Sequence, residues 1–205
     1  MPTGGNGLTA VVVDDELIIV VGGDNNCAEM YSMTNTWTKI PFMSTNCCAC
    51  VAAVIGRKLY VFGGRGYQSA GVYDLDTTRW SDLSPMSTER EACSAVAIGS
   101  YIMIMGGRMN GREILSSVEM YDSEKGTWCI PLSACKPKRS FFPVVLVGKE
   151  VFILGRWDRG GAMQSVEKVE LLDGVCPHPP KLPALPPITM RRRELKSELE
   201  SGLLK

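Results

Sequence analysis

The sequence predicts an all-β protein of four antiparallel four-stranded sheets, each sheet one copy of an internal repeat. Three observations carry this reading. An apolar run ending in paired glycines recurs as LIIVVGG (to Gly23), LYVFGG (to Gly64) and YIMIMGG (to Gly107), with a weaker VFILGR ending at Arg156. Seven residues before each first glycine stands a residue suited to a tight hairpin turn, Asp15, Gly56, Gly99 or Gly148, between two apolar runs. Further on come an aromatic residue and then a tryptophan: Tyr31 and Trp37, Tyr73 and Trp80, Tyr121 and Trp128.

Each unit therefore reads as strand, tight turn, strand ending in Gly-Gly, loop, strand, turn, strand. The four units span about 7–43, 45–86, 88–132 and 139–183, and their first glycines, Gly22, Gly63, Gly106 and Gly155, are 41, 43 and 49 residues apart. Sixteen residues before those glycines lie Asn6, Cys47, Arg90 and Arg139, an alignment that needs no insertion. A polar residue follows each aromatic (Tyr31-Ser32, Tyr73-Asp74, Tyr121-Asp122), turn-forming stretches lead to the tryptophans, and Pro41, Pro85 and Pro131 come soon after. The fourth copy departs: Arg156 replaces the second glycine, Leu171 stands at the aromatic position, and no tryptophan follows.

A sheet of this kind has two apolar faces and cannot bury them alone, so the units must stack around an axis. The pairs Gly22-Gly23, Gly63-Gly64 and Gly106-Gly107, and Gly155 alone, remove Cβ atoms where the sheets crowd. The tyrosines and tryptophans supply large area between sheets, and Trp80→Ala is expected to cost about 3–5 kcal/mol if the ring is buried. All of these are structural expectations that involve no chemistry.

Gly-Gly, then Tyr-Asp, then Trp, on a period of 40 to 50 residues, resembles the kelch repeat; the best copy runs from Arg57 through KLYVFGG, VYDLDTTRW and LSPM to Met86. The resemblance implies a β-propeller, to which the helical composition of the tail adds a short C-terminal helix; family members usually have six blades, with five and seven also known. With four repeats here, the expectation is a small or incomplete ring with exposed blade edges, prone to self-association. A fragment without independent function is the remaining reading of the blade number.

Composition narrows the function. The chain has 205 residues, 45% of them apolar, and a formal net charge of zero, so nothing global points to nucleic acid or a membrane surface. No apolar run reaches the roughly 18 residues of a membrane span, and the start lacks the pattern of a signal peptide, so a cytoplasmic or nuclear location is expected. The eight cysteines are then expected as thiols. In NCCAC, a second ligand pair downstream is missing, so a metal is not expected, and Cys48 and Cys50 are read as small apolar residues on one strand face. The single histidine, His178, sits among prolines and leaves few catalytic constellations. No catalytic residue, metal or cofactor is assigned; a small propeller enzyme, a hydrolase or sugar-modifying one, is the alternative. Residues 177–190 read as a proline-rich linker and 191–205 as a short charged helix or tail.

The expected function is binding of a protein partner or an acidic peptide, as a substrate-recognition or scaffold module. In the kelch family the loop after Gly-Gly and the loop leading into the next repeat line one face. Carried onto this chain, that face includes Arg65 and Arg108, with Arg112, Asp158 and Arg159 in the longer loops and Asn46, Arg90 and Arg139 at the repeat starts. Arginines from different repeats could hold carboxylates by paired hydrogen bonds. The alternative for Arg90 and Arg139 is that they brace the blades. Family members often act through an attached BTB domain or bind actin; no BTB region stands in this sequence.

Overall fold

The computed structural model describes residues 1, 3–41, 47–129, 138–148, 150–158 and 161–169. Blade 1 comprises β1 (Leu8–Val13), β2 (Leu17–Gly22), β3 (Cys27–Ser32) and β4 (Thr36–Lys39). Blade 2 comprises β5 (Val51–Ile55), β6 (Lys58–Phe62), β7 (Ala70–Asp74) and β8 (Arg79–Asp82). Blade 3 contains β9 (Ser94–Ile98), β10 (Tyr101–Met105), β13 (Val118–Asp122) and β14 (Thr127–Cys129), with a small hairpin, β11 (Arg108–Met109) and β12 (Glu113–Ile114), in its second loop. Blade 4 shows three strands among the described residues: β15 (Val144–Val147), β16 (Glu150–Asp158) and β17 (Gly161–Val169). Every pairing is antiparallel, strands follow chain order within a blade, and the described residues contain no helix.

The turns form where small or acidic residues tolerate positive φ. Gly56 (φ 55°), Gly99 (59°) and Gly148 (63°) open two-residue hairpin loops, and Asp14 and Asp15 (51° and 55°) take the same conformation in blade 1. There the loop has one extra residue: β1 ends at Val13 and β2 begins at Leu17. The insertion corrects the ungapped alignment. Strand register places Gly5 opposite Arg90 and Arg139 in the repeat, and Asn6 one position on.

Blades follow one another about one axis, the arrangement of a β-propeller, with β1 packed on β5, β5 on β9 and β9 on β15. A collar of backbone bonds runs around the inner rim: Ala49 N–H to Gly7 C=O (3.1 Å), Ala92 to Ala49 (3.0 Å), Phe141 to Ala92 (3.0 Å). The innermost strands line an open axial groove of about 1130 Å³ whose lining carries no charged side chain. Three cores lie between blades. The first joins Val13, Ile19 and Val21 to Leu59, Val61 and Tyr73; the second joins Tyr60 and Phe62 to Ile102, Ile104 and Tyr121; the third joins Ile98, Met103 and Met120 to Val151 and Ile153.

The glycine pairs sit where one blade meets the segment leading into the next. A Cβ on Gly106 would stand 2.6 Å from the Arg139 carbonyl oxygen, and the neighbouring Gly107 N–H donates to that oxygen at 2.9 Å. In blade 4, where Arg156 follows Gly155, the strand does not break. β16 runs on through a bulge between Leu154 and Arg156 into a long hairpin with β17. The ring pairs repeat closely: Tyr31–Trp37 at 5.0 Å, Tyr73–Trp80 at 5.2 Å, Tyr121–Trp128 at 5.1 Å. Each tryptophan is only half-buried, which lowers the cost expected for removing one. The indole N–H of Trp80 donates to Pro41 C=O (2.7 Å) and that of Trp128 to Ser84 C=O (2.8 Å), each acceptor on the preceding blade.

The segment read as a strand carrying Cys48 and Cys50 is a turn instead, closed by Cys50 N–H to Cys47 C=O (3.1 Å), and β5 begins only at Val51. The turn brings Cys47 together with Cys50 in the core between blades 1 and 2. Their thiols hydrogen-bond: the bond to Cys50 holds Cys47 below the usual thiol range, while the same bond and burial push Cys50 well above it.

Candidate functional site

One face of the stack is built from two sets of loops. The first follows the glycine pairs and places Asp24, Arg65 and Arg108 in blades 1 to 3. The second leads into each blade and places Cys48, Glu91 and Phe141 in blades 2 to 4. Each residue of the first set lies against the second-set residue of the next blade. Asp24 accepts from the Cys48 thiol (3.6 Å), Arg65 lies 3.6 Å from Glu91, and the Arg108 guanidinium lies 4.6 Å above the Phe141 ring.

Glu91 is the centre of this face. Its side chain is 3% exposed, yet it is ionically paired from two sides, by Arg65 of blade 2 and by Arg108 of its own blade (3.1 Å). Arg108 is positioned by the backbone as well, since Glu91 and Arg108 exchange both main-chain bonds (3.0 and 2.8 Å). Two guanidiniums share one carboxylate, so the cluster retains one positive charge. Arg65 carries it outward, with 70% of its side chain exposed. The Arg108 Nε–H is buried and has no hydrogen-bond acceptor among the described residues. Phe141, 56% exposed, adds an apolar surface beside it. Burial pushes the Cys48 thiol up, only partly offset by Arg65.

The residues expected on this face divide. Arg65 and Arg108 meet at Glu91, and exposed Arg112 lies at the tip of the β11–β12 hairpin that Arg108 begins. Asp158 closes β16. Asn46 and Arg159 lie outside the described residues, as do His178, the linker at 177–190 and the tail at 191–205. Arg90 and Arg139 are fully buried and take the bracing role. Arg90 donates to Glu119 (Nε, 3.0 Å), to the carbonyls of Gly106 (2.8 Å) and Ser117 (3.0 Å), and to Ser117 Oγ (2.7 Å). Arg139 pairs with Glu167, the equivalent position of blade 4. Neither presents its guanidinium to a partner, because each turns in onto its own blade, Arg90 onto Glu119 and the Gly106 carbonyl and Arg139 onto Glu167.

Glu91 and Phe141 were not found from the sequence, although both flank positions that were. Their residue types vary from repeat to repeat at otherwise matching positions, so periodicity does not mark them. The carboxylates of the first turn are ordinary surface charges: Asp14 pairs with Arg57, which also donates to Asp76 (2.6 Å). Among the described residues, no group of three or more His, Cys, Asp or Glu side chains is placed to hold a metal ion. No helix among them is long and apolar enough to cross a membrane.

Comparison with known proteins agrees with this architecture. No curated protein matches the chain. The family model described as the KLHDC2/KLHL20/DRC7 Kelch-repeats domain matches residues 1–156, most of the chain. Kelch-repeat propeller domains generally mediate protein–protein interactions and are generally non-catalytic. With its glycine pairs, ring pairs and blade order in place, this chain belongs to the kelch-repeat family.

Proposed function

We propose that the loop face is a docking surface for an acidic segment of a partner protein, and that the molecule serves as a non-catalytic recognition or scaffold module. The observation that carries this is the convergence of Arg65 and Arg108, from adjacent blades, on a buried Glu91 beside exposed Phe141. A carboxylate arriving at Arg65 meets an exposed guanidinium that lies 3.6 Å from Glu91 without a hydrogen bond to it, so its donors are open to the newcomer. Arg112 extends the positive surface, and Phe141 offers a ring for an apolar neighbour of the acidic residue.

The test uses a fluorescent glutamate- and aspartate-rich peptide and a lysine-rich control, with binding followed by polarisation. Reversing Arg108 would strand the buried Glu91 carboxylate and threaten folding, so the informative variant is Arg65→Glu with Arg112→Glu. Binding of the acidic peptide is expected to weaken at least about tenfold, with the chain still folded and its melting temperature lowered by only a few degrees, since Arg65 and Arg112 are exposed and Arg108 still pairs with Glu91. Equal binding of both peptides, or an acidic-peptide affinity untouched by the double variant, defeats the proposal.

A further inference from the structure

The blade stack ends in two unlike faces, and each is one half of an interface that the molecule already builds three times. Inside the stack, the aliphatic face of one blade covers the Tyr–Trp face of the next. Blade 1 shows the aliphatic half when covered: Val13 is 1% exposed and Ile19 fully buried beneath blade 2. In blade 3 the matching Ile98 is 2% exposed beneath blade 4. In blade 4 this face is more open: the counterpart of Ile19, Phe152, is half-buried. Val147, the counterpart of Val13 and Ile98, is 53% exposed, and Val145 and Val166 on that face are exposed as well.

The other end carries the complementary half. Tyr31 and Trp37 hold the same ring geometry as the covered pairs of blades 2 and 3, on one face with Val12 and Ile18. Yet Val12 is 57% exposed and Tyr31 is only partly buried, whereas Tyr73 and Tyr121 are buried. Trp80 and Trp128 each donate to a carbonyl on the preceding blade; among the described residues Trp37 has no such acceptor. The backbone collar has the same polarity. It begins at Gly7, whose N–H has no recorded partner among the described residues, and ends at Phe141, whose C=O has none. Among those residues, no strand contact comparable to those between consecutive blades joins β15 to β1.

We propose that these two faces bind each other between two copies of this chain. The Tyr31–Trp37 face of one copy covers the Val145–Val147–Val166 face of the other, and Gly7 N–H of one donates to Phe141 C=O of its partner. A second copy is the occupant because the complement of each half, in shape, apolar character and hydrogen-bond polarity, is carried by the chain itself. Two copies related by a two-fold rotation about the common axis use both halves of each, leaving none over. The ring so closed has eight blades, within the range of known propellers.

The test is the mass of the 205-residue chain in solution, by light scattering on a sizing column across micromolar concentrations. The wild type is expected at twice the 22.4 kDa chain mass, with no further growth. Val12→Glu and Val147→Glu each alter a residue more than half exposed, so the single chain should fold unchanged by circular dichroism and melting. Each variant alone should run as one chain, because each spoils both contacts of the pair. An equimolar mixture should regain the two-chain mass, since one contact then joins an intact Val147 face to an intact Val12 face. A single-chain wild type, a two-chain Val147→Glu variant, a mixture that stays single, or a mass that climbs with concentration would each overturn the proposal.

Discussion

At the scale of single residues, burial divides chemically identical side chains into different roles. Arg65 and Arg90 are both arginines near repeat junctions, but one is open to solvent and the other fully enclosed. Arg90 meets a complete set of acceptors, including Glu119, itself 2% exposed and also holding the Ser87 N–H (2.7 Å). Removing one member of such a pair leaves a buried charge uncompensated. Glu119→Ala is expected to cost about 3–5 kcal/mol in chemical denaturation. Adding Arg90→Met to that variant should recover part of the loss, and no recovery would show that the pair is not the source. Blade 2 shows that the fold can dispense with this pair, because Cys47 and Gly71 occupy the corresponding positions. Blade 1 keeps the acid, Glu29, and answers it with the N–H and hydroxyl of Thr3.

At the scale of elements, the Tyr-Asp pair of the repeat explains why the outer hairpin turns where it does. Asp122 accepts the N–H groups of Glu124 and Lys125 (both 3.1 Å), and Asp74 accepts those of Asp76 and Thr77 (3.0 and 2.9 Å). Burial pushes the Asp122 carboxyl up, but these amides and the Lys125 ammonium outweigh it, so the group titrates below its ordinary range. A carboxyl with a lowered folded-state pKa adds stability that is complete above the unfolded value of about 3.9 and is lost as pH falls through the folded value. Asp122→Asn keeps an acceptor oxygen and loses the charge. Its stability deficit should be present at pH 7 and should close as pH falls below about 4, measured by denaturant titration at several pH values. A deficit constant with pH would assign the effect to packing. This turn chemistry was legible in the sequence because it is local. The extra residue in the first turn and the unbroken β16 were not, since one depends on register across strands and the other on a bulge.

At the scale of the whole molecule, stability comes from stacking blades, so the same residue matters differently along the stack. Trp80 rests against Pro41 and the face of blade 1, while Trp37 has no preceding blade among the described residues. Trp80→Ala is expected to cost about 2–3 kcal/mol, less than a fully enclosed ring would, and Trp37→Ala distinctly less in the single chain. Comparable losses at both positions in a verified single-chain sample would show that blade 1 is covered there too. The binding face belongs to this scale as well. Arg65, Arg108 and Phe141 come from three blades and meet only because the axis brings their loops to one side.

The sequence by itself determined the strand, turn and glycine pattern and the aromatic period, because each reflects backbone geometry within a few residues and recurs wherever that geometry does. Only the tertiary structure decided which arginines are enclosed, which cysteines touch, what sits beside Arg108, and which blade faces stay bare. Those outcomes depend on the neighbouring blade that covers a position, and a side chain's own spacing along the chain carries no record of its neighbour.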